Sequence, residues 1–214
     1  GFRVPAGAYH PREVEIEGDW SGAAFFFAGA ALTGGSVTVG GLRPDSRQGD
    51  RVFVDLLAEM GCRVSTAPSG VTVSGRASRP LDADMSDCPD LVPALAVLMG
   101  RTPGTHRIRG AAHLRIKESD RLRAVADNLD RLGVIATETP DGLEIRGCDN
   151  FLPGAVIRTY ADHRIAMAFA LAGLVAPGVV VDDPACVAKS FPGFWMNFDR
   201  TFTCLTPASR RRDP

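Results

Sequence analysis

Asp19-Trp20-Ser21-Gly22 leads into the apolar run 23–32 and stops at Gly34-Gly35. Pro89-Asp90 leads into a second apolar run, 91–99, that stops at Gly104. Ala161-Asp162-His163-Arg164 leads into a third, 165–175, that stops at Gly178. An Asp ahead of an apolar run is a helix N-cap signal and a Gly behind it is a stop signal. The three Asp residues lie 71 and 72 positions apart. Each glycine is followed by a short alternating run that reads as a strand: Ser36-Val37-Thr38-Val39, Thr105-His106-Arg107-Ile108 and Val179-Val180-Val181. A second, amphipathic helix follows. Phe53, Leu56, Leu57 and Met60 fall at helical spacing, as do Leu122, Val125, Ala126, Leu129 and Leu132. Both helices stop at glycine, Gly61 and Gly133, ahead of strand pairs that end at Val71-Thr72-Val73 and Leu143-Glu144-Ile145. The third unit starts its second helix near Lys189-Ser190-Phe191-Pro192.

The chain therefore reads as three copies of a helix–strand–helix–strand–strand unit with a strand ahead of each. The first helix of every copy has almost no polar face, so it belongs inside the molecule with the sheets outside. The expected fold is a pseudo-threefold α/β domain of βαβαββ repeats. Its expected limits are a linker over 1–13, one domain over 14–204 with repeats near 14–80, 81–150 and 151–204, and a flexible polar tail over 205–214.

Composition narrows the function. The 214 residues are 45% hydrophobic, enough for a sizeable core, and the net charge is −1. A general nucleic-acid or acidic-membrane binder carries a basic excess, so neither partner is expected. No run of 18 apolar residues suggests a membrane span. Five cysteines without a CxxC pair argue against a disulfide framework or a zinc site and suit a reducing cytoplasm. The chain begins with Gly1 rather than Met, which fits a piece of a longer protein.

Polar residues gather at the helix starts. Leu114-Arg115-Ile116-Lys117-Glu118-Ser119-Asp120-Arg121 carries three cations, with Ser119 or Asp120 placed to cap. Arg164 and Lys189 stand in comparable positions. A cation at the positive end of a helix dipole is unfavourable by roughly 0.3–1 kcal/mol, and the free N–H groups there attract anions. Three such cations make sense around an anionic guest. Arg121 and Arg164 could grip a carboxylate or phosphate, Lys117 and Lys189 could act as point charges or acids, and Asp90 and Glu118 are the carboxylates available for proton transfer. Each motif also has a plain alternative: Asp90 as a simple cap, 117–121 as a solvated charged turn, Arg164 paired with Asp162 across the cap. The residues alone lead to an enzyme or binder for a multiply anionic small molecule.

These stretches, with Glu17-Gly18-Asp19, Gln48-Gly49-Asp50, Thr159-Tyr160-Ala161-Asp162-His163-Arg164 and 183–192, resemble the 5-enolpyruvylshikimate-3-phosphate synthase family over about residues 14–200. Ala161 stands where that family usually has Asn, and Gly193 where Asp is common. The resemblance implies an inside-out α/β barrel, helices central and sheets outside, forming one of two similar domains that meet across a cleft. It implies transfer of the enolpyruvyl group of phosphoenolpyruvate to the 5-hydroxyl of shikimate 3-phosphate, with no metal or organic cofactor. By position, Asp90, Glu118 and Lys189 would be catalytic. Arg121, Arg164 and Lys189 would bind phosphoenolpyruvate; Asp90, His113 and Lys117 would contact shikimate 3-phosphate. The companion domain is the implied partner, without which half a cleft should not turn over. Two rivals are an enolpyruvyl transferase acting on UDP-N-acetylglucosamine and a non-catalytic anion-binding fragment.

Overall fold

The computed structural model describes residues 1–202. The expected tail, 205–214, lies outside them. Three buried helices form the middle. Helix α1 (Trp20–Thr33) is capped by Asp19, whose carboxylate accepts from the backbone N–H groups of Ser21 and Gly22 at 3.0 Å. It ends at Gly34, whose φ of 79° is left-handed backbone that a side chain would strain. Helix α2 (Phe53–Glu59) is short and outer. Helix α3 (Val92–Gly100) is buried at all nine positions. Helix α4 (Arg121–Arg131) is amphipathic, with Leu122, Val125 and Leu129 inward. Helix α5 (His163–Ala170) continues in a 3-10 turn to Leu174, and α6 (Phe194–Phe202) closes the described chain. Helix α3 packs on both α1 and α5. A helix apolar on every face has nowhere to go but the centre.

Three sheets surround these helices. The first orders its strands β1 (Ser36–Val39), β3 (Gly70–Ser74), β2 (Arg63–Ala67), all neighbours antiparallel. The second adds a parallel strand at its edge: β4 (Asp82–Asp84), β5 (Gly104–Arg109), β7 (Gly142–Gly147), β6 (Ile135–Thr139). The third, among the described residues, holds only the parallel pair β8 (Val156–Ile157) and β9 (Val180–Val181). Alternate side chains of the central strands point inward: Val71 and Val73 in the first sheet, Leu143 and Ile145 in the second. The helix-centred, sheet-covered α/β architecture read from the repeat is the one observed.

One expectation needs correction. A strand was expected ahead of every unit, and β4 and β8 meet it, but residues 1–19 contain no helix or strand. Val14 and Ile16 alternate as a strand would, yet stay 63% and 84% exposed. Alternation creates a strand only where its apolar side has a surface to cover and its edge a partner.

Candidate active site

The first turns of α3, α4 and α5 converge, and the side chains there form one ion-pair chain. Arg121, in the first turn of α4, is 1% exposed. Its Nε donates to Asp162 Oδ2, its Nη1 to Asp90 Oδ1 and its Nη2 to Glu118 Oε2, each at 2.7 Å. Asp90 and Glu118 are each shared with a second cation. Arg164 Nη2 lies 3.1 Å from Asp90 Oδ2, and Lys189 Nζ donates to Glu118 Oε1 at 2.5 Å. The order is Arg164–Asp90–Arg121–Glu118–Lys189, with Asp162 behind Arg121. Residues 31, 41 and 71 positions apart in sequence meet here.

Local sequence explains why these side chains are available. Asp162 caps α5, accepting from the Arg164 backbone N–H at 2.9 Å, while its Oδ2 accepts from Ser119 Oγ at 3.1 Å as well as from Arg121. It is fully buried, which requires such full engagement. Asp120 caps α4 through the Arg123 N–H. Asp90 caps nothing. It sits in a 3-10 turn (Pro89–Leu91), and prolines at 89 and 93 remove two donors that a cap would otherwise serve. Its carboxylate is thereby left for the arginines.

The charges perturb one another. The Lys189 hydrogen bond, with Arg121 close by, holds the Glu118 carboxyl down at about 2, so Glu118 is ionised at neutral pH. Burial pushes the Arg121 guanidinium down, but Asp162, Asp90 and Glu118 reverse this and leave it raised. Burial also pushes His163 below its usual value, against the pull of Asp162. Its ring, 5% exposed, is therefore neutral at pH 7, and Nδ1 has no hydrogen-bond partner.

Five of the sequence-derived site residues thus come together: Asp90, Glu118, Arg121, Arg164 and Lys189. Two do not join them. His113 is half-buried and Lys117 exposed, and neither pairs with another side chain among the described residues. The electrostatic reading is corrected as well. The gathered cations do not require a foreign anion, because Asp90, Glu118 and Asp162 already balance Arg121, Arg164 and Lys189. Arg164 does not reach Asp162 with its guanidinium; that group goes to Asp90. Asp162 is the residue that reasoning from sequence undervalued. An acid before an apolar helix reads as a cap, and nothing local reveals a second duty to a side chain 41 positions away. The Gln48 side-chain amide bridges the Gly18 carbonyl and the Trp20 N–H, both at 3.0 Å.

Chemically, the surface offers the exposed Lys189 and the partly exposed Arg164 flanking the Asp90 and Glu118 carboxylates. Lys189 remains 56% exposed at its side chain, whereas Arg121 has nearly all its donors engaged. An arriving anion can contact Arg164 and Lys189 directly, and can reach Arg121 only by displacing Asp90 or Glu118. No group of three or more His, Cys, Asp or Glu among the described residues could hold a metal ion.

Known proteins share this arrangement of sequence and fold. The family model for EPSP synthase (3-phosphoshikimate 1-carboxyvinyltransferase) matches residues 2–198. A 3-phosphoshikimate 1-carboxyvinyltransferase from Syntrophobacter fumaroxidans is 52% identical over 186 residues, 86% of this chain and 44% of that protein. One from Methanoculleus marisnigri is 45% identical over 91% of this chain and 46% of its own length. An EPSP synthase structure from Acinetobacter baumannii superposes with a TM-score of 0.72 at 31% identity, over 87% of this chain and 46% of that one. The chain spans a little under half the length of these relatives. With the match running from before the first helix into the last, through every residue of the ion-pair chain, the protein belongs to the EPSP synthase family.

Proposed function

We propose that this chain supplies one wall of an enzyme site that transfers the enolpyruvyl group from phosphoenolpyruvate to the 5-hydroxyl of shikimate 3-phosphate, the opposite wall coming from a companion domain. The observation that carries this reading is the ion-pair chain itself: two carboxylates, each held between two cations, on one surface. Arg164 and Lys189 bind the phosphoenolpyruvate anion first, and Arg121 joins as Asp90 and Glu118 turn to their substrate roles. Asp90 takes the hydroxyl proton, making that oxygen nucleophilic toward C2. A proton delivered to the methylene carbon makes C2 electrophilic, the tetrahedral adduct forms, and loss of phosphate with a proton from the same carbon yields the enol ether. The Lys189 Nζ, 2.5 Å away, holds the Glu118 carboxyl down at about 2, so Glu118 begins as a proton acceptor and becomes a donor after taking a proton. His113 and Lys117, which have no side-chain partner among the described residues, contact shikimate 3-phosphate. The cations also stabilise negative charge as it develops on the departing phosphate.

No helix of the described residues is long and apolar enough to cross a membrane. The four described cysteines are free, in keeping with a reducing cytoplasm. Names of the relatives favour shikimate 3-phosphate over UDP-N-acetylglucosamine as acceptor. The test is reassembly. This chain, fused in place of the matching 44% of the Syntrophobacter relative, should release phosphate from phosphoenolpyruvate only when shikimate 3-phosphate is present. The chain alone should release none. Arg164→Ala in the fusion should weaken phosphoenolpyruvate binding by about 1.5–3 kcal/mol. An inactive fusion that is folded by circular dichroism favours the anion-binding reading instead.

A further inference from the structure

Two adjacent residues beside the site carry backbone that their side chains resist. Tyr160 and Ala161 both have φ of 55°, and the Asp162 N–H donates to the Thr159 carbonyl at 2.9 Å. Residues 159–162 therefore close a β-turn with positive φ at both central positions. Such a turn favours Asn, Asp or Gly there, and neither residue is one of them. The turn leads straight into the ion-pair chain. Asp162 caps α5 and pairs with Arg121, and Arg164 follows in the first turn of the helix. Strained backbone of this kind persists where its surroundings over-determine it.

Those surroundings come largely from α4. Buried Asn128 brackets Arg158, accepting from its N–H at 2.9 Å and donating to its carbonyl at 2.8 Å. Asp182 accepts from the Thr159 N–H at 2.9 Å. These bonds fix the backbone on its way into the turn. The strained pair itself is held by a side chain: the Tyr160 hydroxyl donates to Asp127 Oδ2 at 2.7 Å, and Arg131 Nε donates to the same oxygen at 2.9 Å. Burial pushes the Tyr160 phenol up, and Asp127 raises it further. Burial pushes Asp127 up as well, but the bonds from Arg131 and Tyr160 outweigh it and leave this carboxyl lowered. A neutral phenol thus donates to an ionised carboxylate, the stronger kind of hydrogen bond. Asp127 lies six positions past Arg121, about 9 Å farther along α4. The helix therefore grips segment 158–164 twice, through Arg121 at its start and through Asp127 and Asn128 farther on, with the strained turn between the grips.

We propose that Tyr160 and Asp127 are positioning residues: their hydrogen bond holds the turn at 159–162 so that Asp162 meets Arg121 and Arg164 stays set toward its ligand, while neither residue touches that ligand. The consequence for phosphoenolpyruvate rests on the proposed transfer reaction; the consequence for the turn does not. Tyr160 is 42% exposed, so Tyr160→Phe removes the hydroxyl without disturbing the core.

Two amides read the turn in this chain by itself. The Arg164 N–H is bonded to Asp162, and the Arg123 N–H to Asp120 in an equivalent cap that Tyr160 does not serve. Tyr160→Phe should speed hydrogen exchange at Arg164 about fivefold and leave Arg123 unchanged, whereas a bond that only added global stability would not separate them. Asp127→Ala should act likewise, and the double variant should lose no more than either single one. Adding Ala161→Asn to Tyr160→Phe should restore most of the protection, because Asn accepts left-handed backbone. In the fusion with the Syntrophobacter relative, Tyr160→Phe should raise the KM for phosphoenolpyruvate about fivefold, with kcat and the KM for shikimate 3-phosphate within about twofold. Unchanged exchange at Arg164, or equal acceleration at Arg164 and Arg123, overturns the proposal. So do additive losses in the Tyr160→Phe, Asp127→Ala pair. Weaker phosphoenolpyruvate binding with Arg164 exchange unaltered overturns it too, by making Tyr160 a ligand contact. If every fusion is inactive, the exchange measurements still decide, so failure of the reaction and failure of the tether are read separately.

Discussion

The N-terminal ends of α1 and α3 start from the same repeat position and are used in opposite ways. At α1, Asp19 turns back onto its own helix and satisfies two N–H groups. The neighbouring Ser21 hydroxyl bonds to Asp50, and burial pushes that carboxyl upward. Among the described residues no basic side chain forms an ion pair with Asp19 or Asp50, and Arg164 acts on Asp50 only through its charge. At α3, prolines take over the structural work of the cap and Asp90 turns outward to two arginines. A cap is a local economy, whereas an uncapped acid is available to distant parts of the chain. The repeat thus uses one position in three ways: Asp19 caps its helix, Asp90 pairs with arginines, and Asp162 does both.

Four measurements break or sharpen that contrast. Arg121→Ala should have the largest effect. It leaves buried Asp162 without its counter-ion, and urea unfolding should show a loss of about 3–5 kcal/mol. A loss below about 1 kcal/mol would mean that Asp162 is not held as described. Asp19→Ala should cost about 0.5–2 kcal/mol as a lost cap, while Asp90→Asn in the same urea series costs less. Equal losses would erase the difference between the two ends. Third, Tyr160 and Ala161 both have φ of 55°, left-handed backbone that side chains other than Asn, Asp and Gly adopt with strain. Ala161→Asn should therefore raise stability by a few tenths to about 1 kcal/mol in thermal melts. The smallest effect concerns pH. Glu118 titrates at about 2 in the fold against an ordinary 4.5, so its contribution is present above pH 4.5 and disappears as pH falls through 2. Because Lys189 is largely exposed, that contribution stays below about 1 kcal/mol. The stability gap between the wild type and Glu118→Gln should close over that interval; a gap unchanged down to pH 2 would remove the Lys189 pairing.

Much of this could be read from residues alone because the signals are local. Asp19 and Gly34 bracket α1, Gly61 and Gly133 end α2 and α4, and Val37 and Val39 mark β1. The family motifs lead to the five residues of the ion-pair chain. What escaped was non-local. The duty of Asp162 toward Arg121 depends on two helix starts meeting across the core. The neutrality of the cluster depends on carboxylates arriving from two units, Asp90 and Glu118 from the second and Asp162 from the third. Val14 and Ile16 show the reverse failure, a correct local pattern with no surface to complete it.

Arg121 deserves a last consequence. A guanidinium with three carboxylate neighbours is indifferent to the phosphate and sulfate that crowd a cell, since a lone anion would have to evict a tethered competitor. Only a visitor that simultaneously gives Asp90 or Glu118 something better to do can loosen that grip. The cluster would then behave less like a magnet than like a two-key lock, gaining selectivity at the expense of raw attraction.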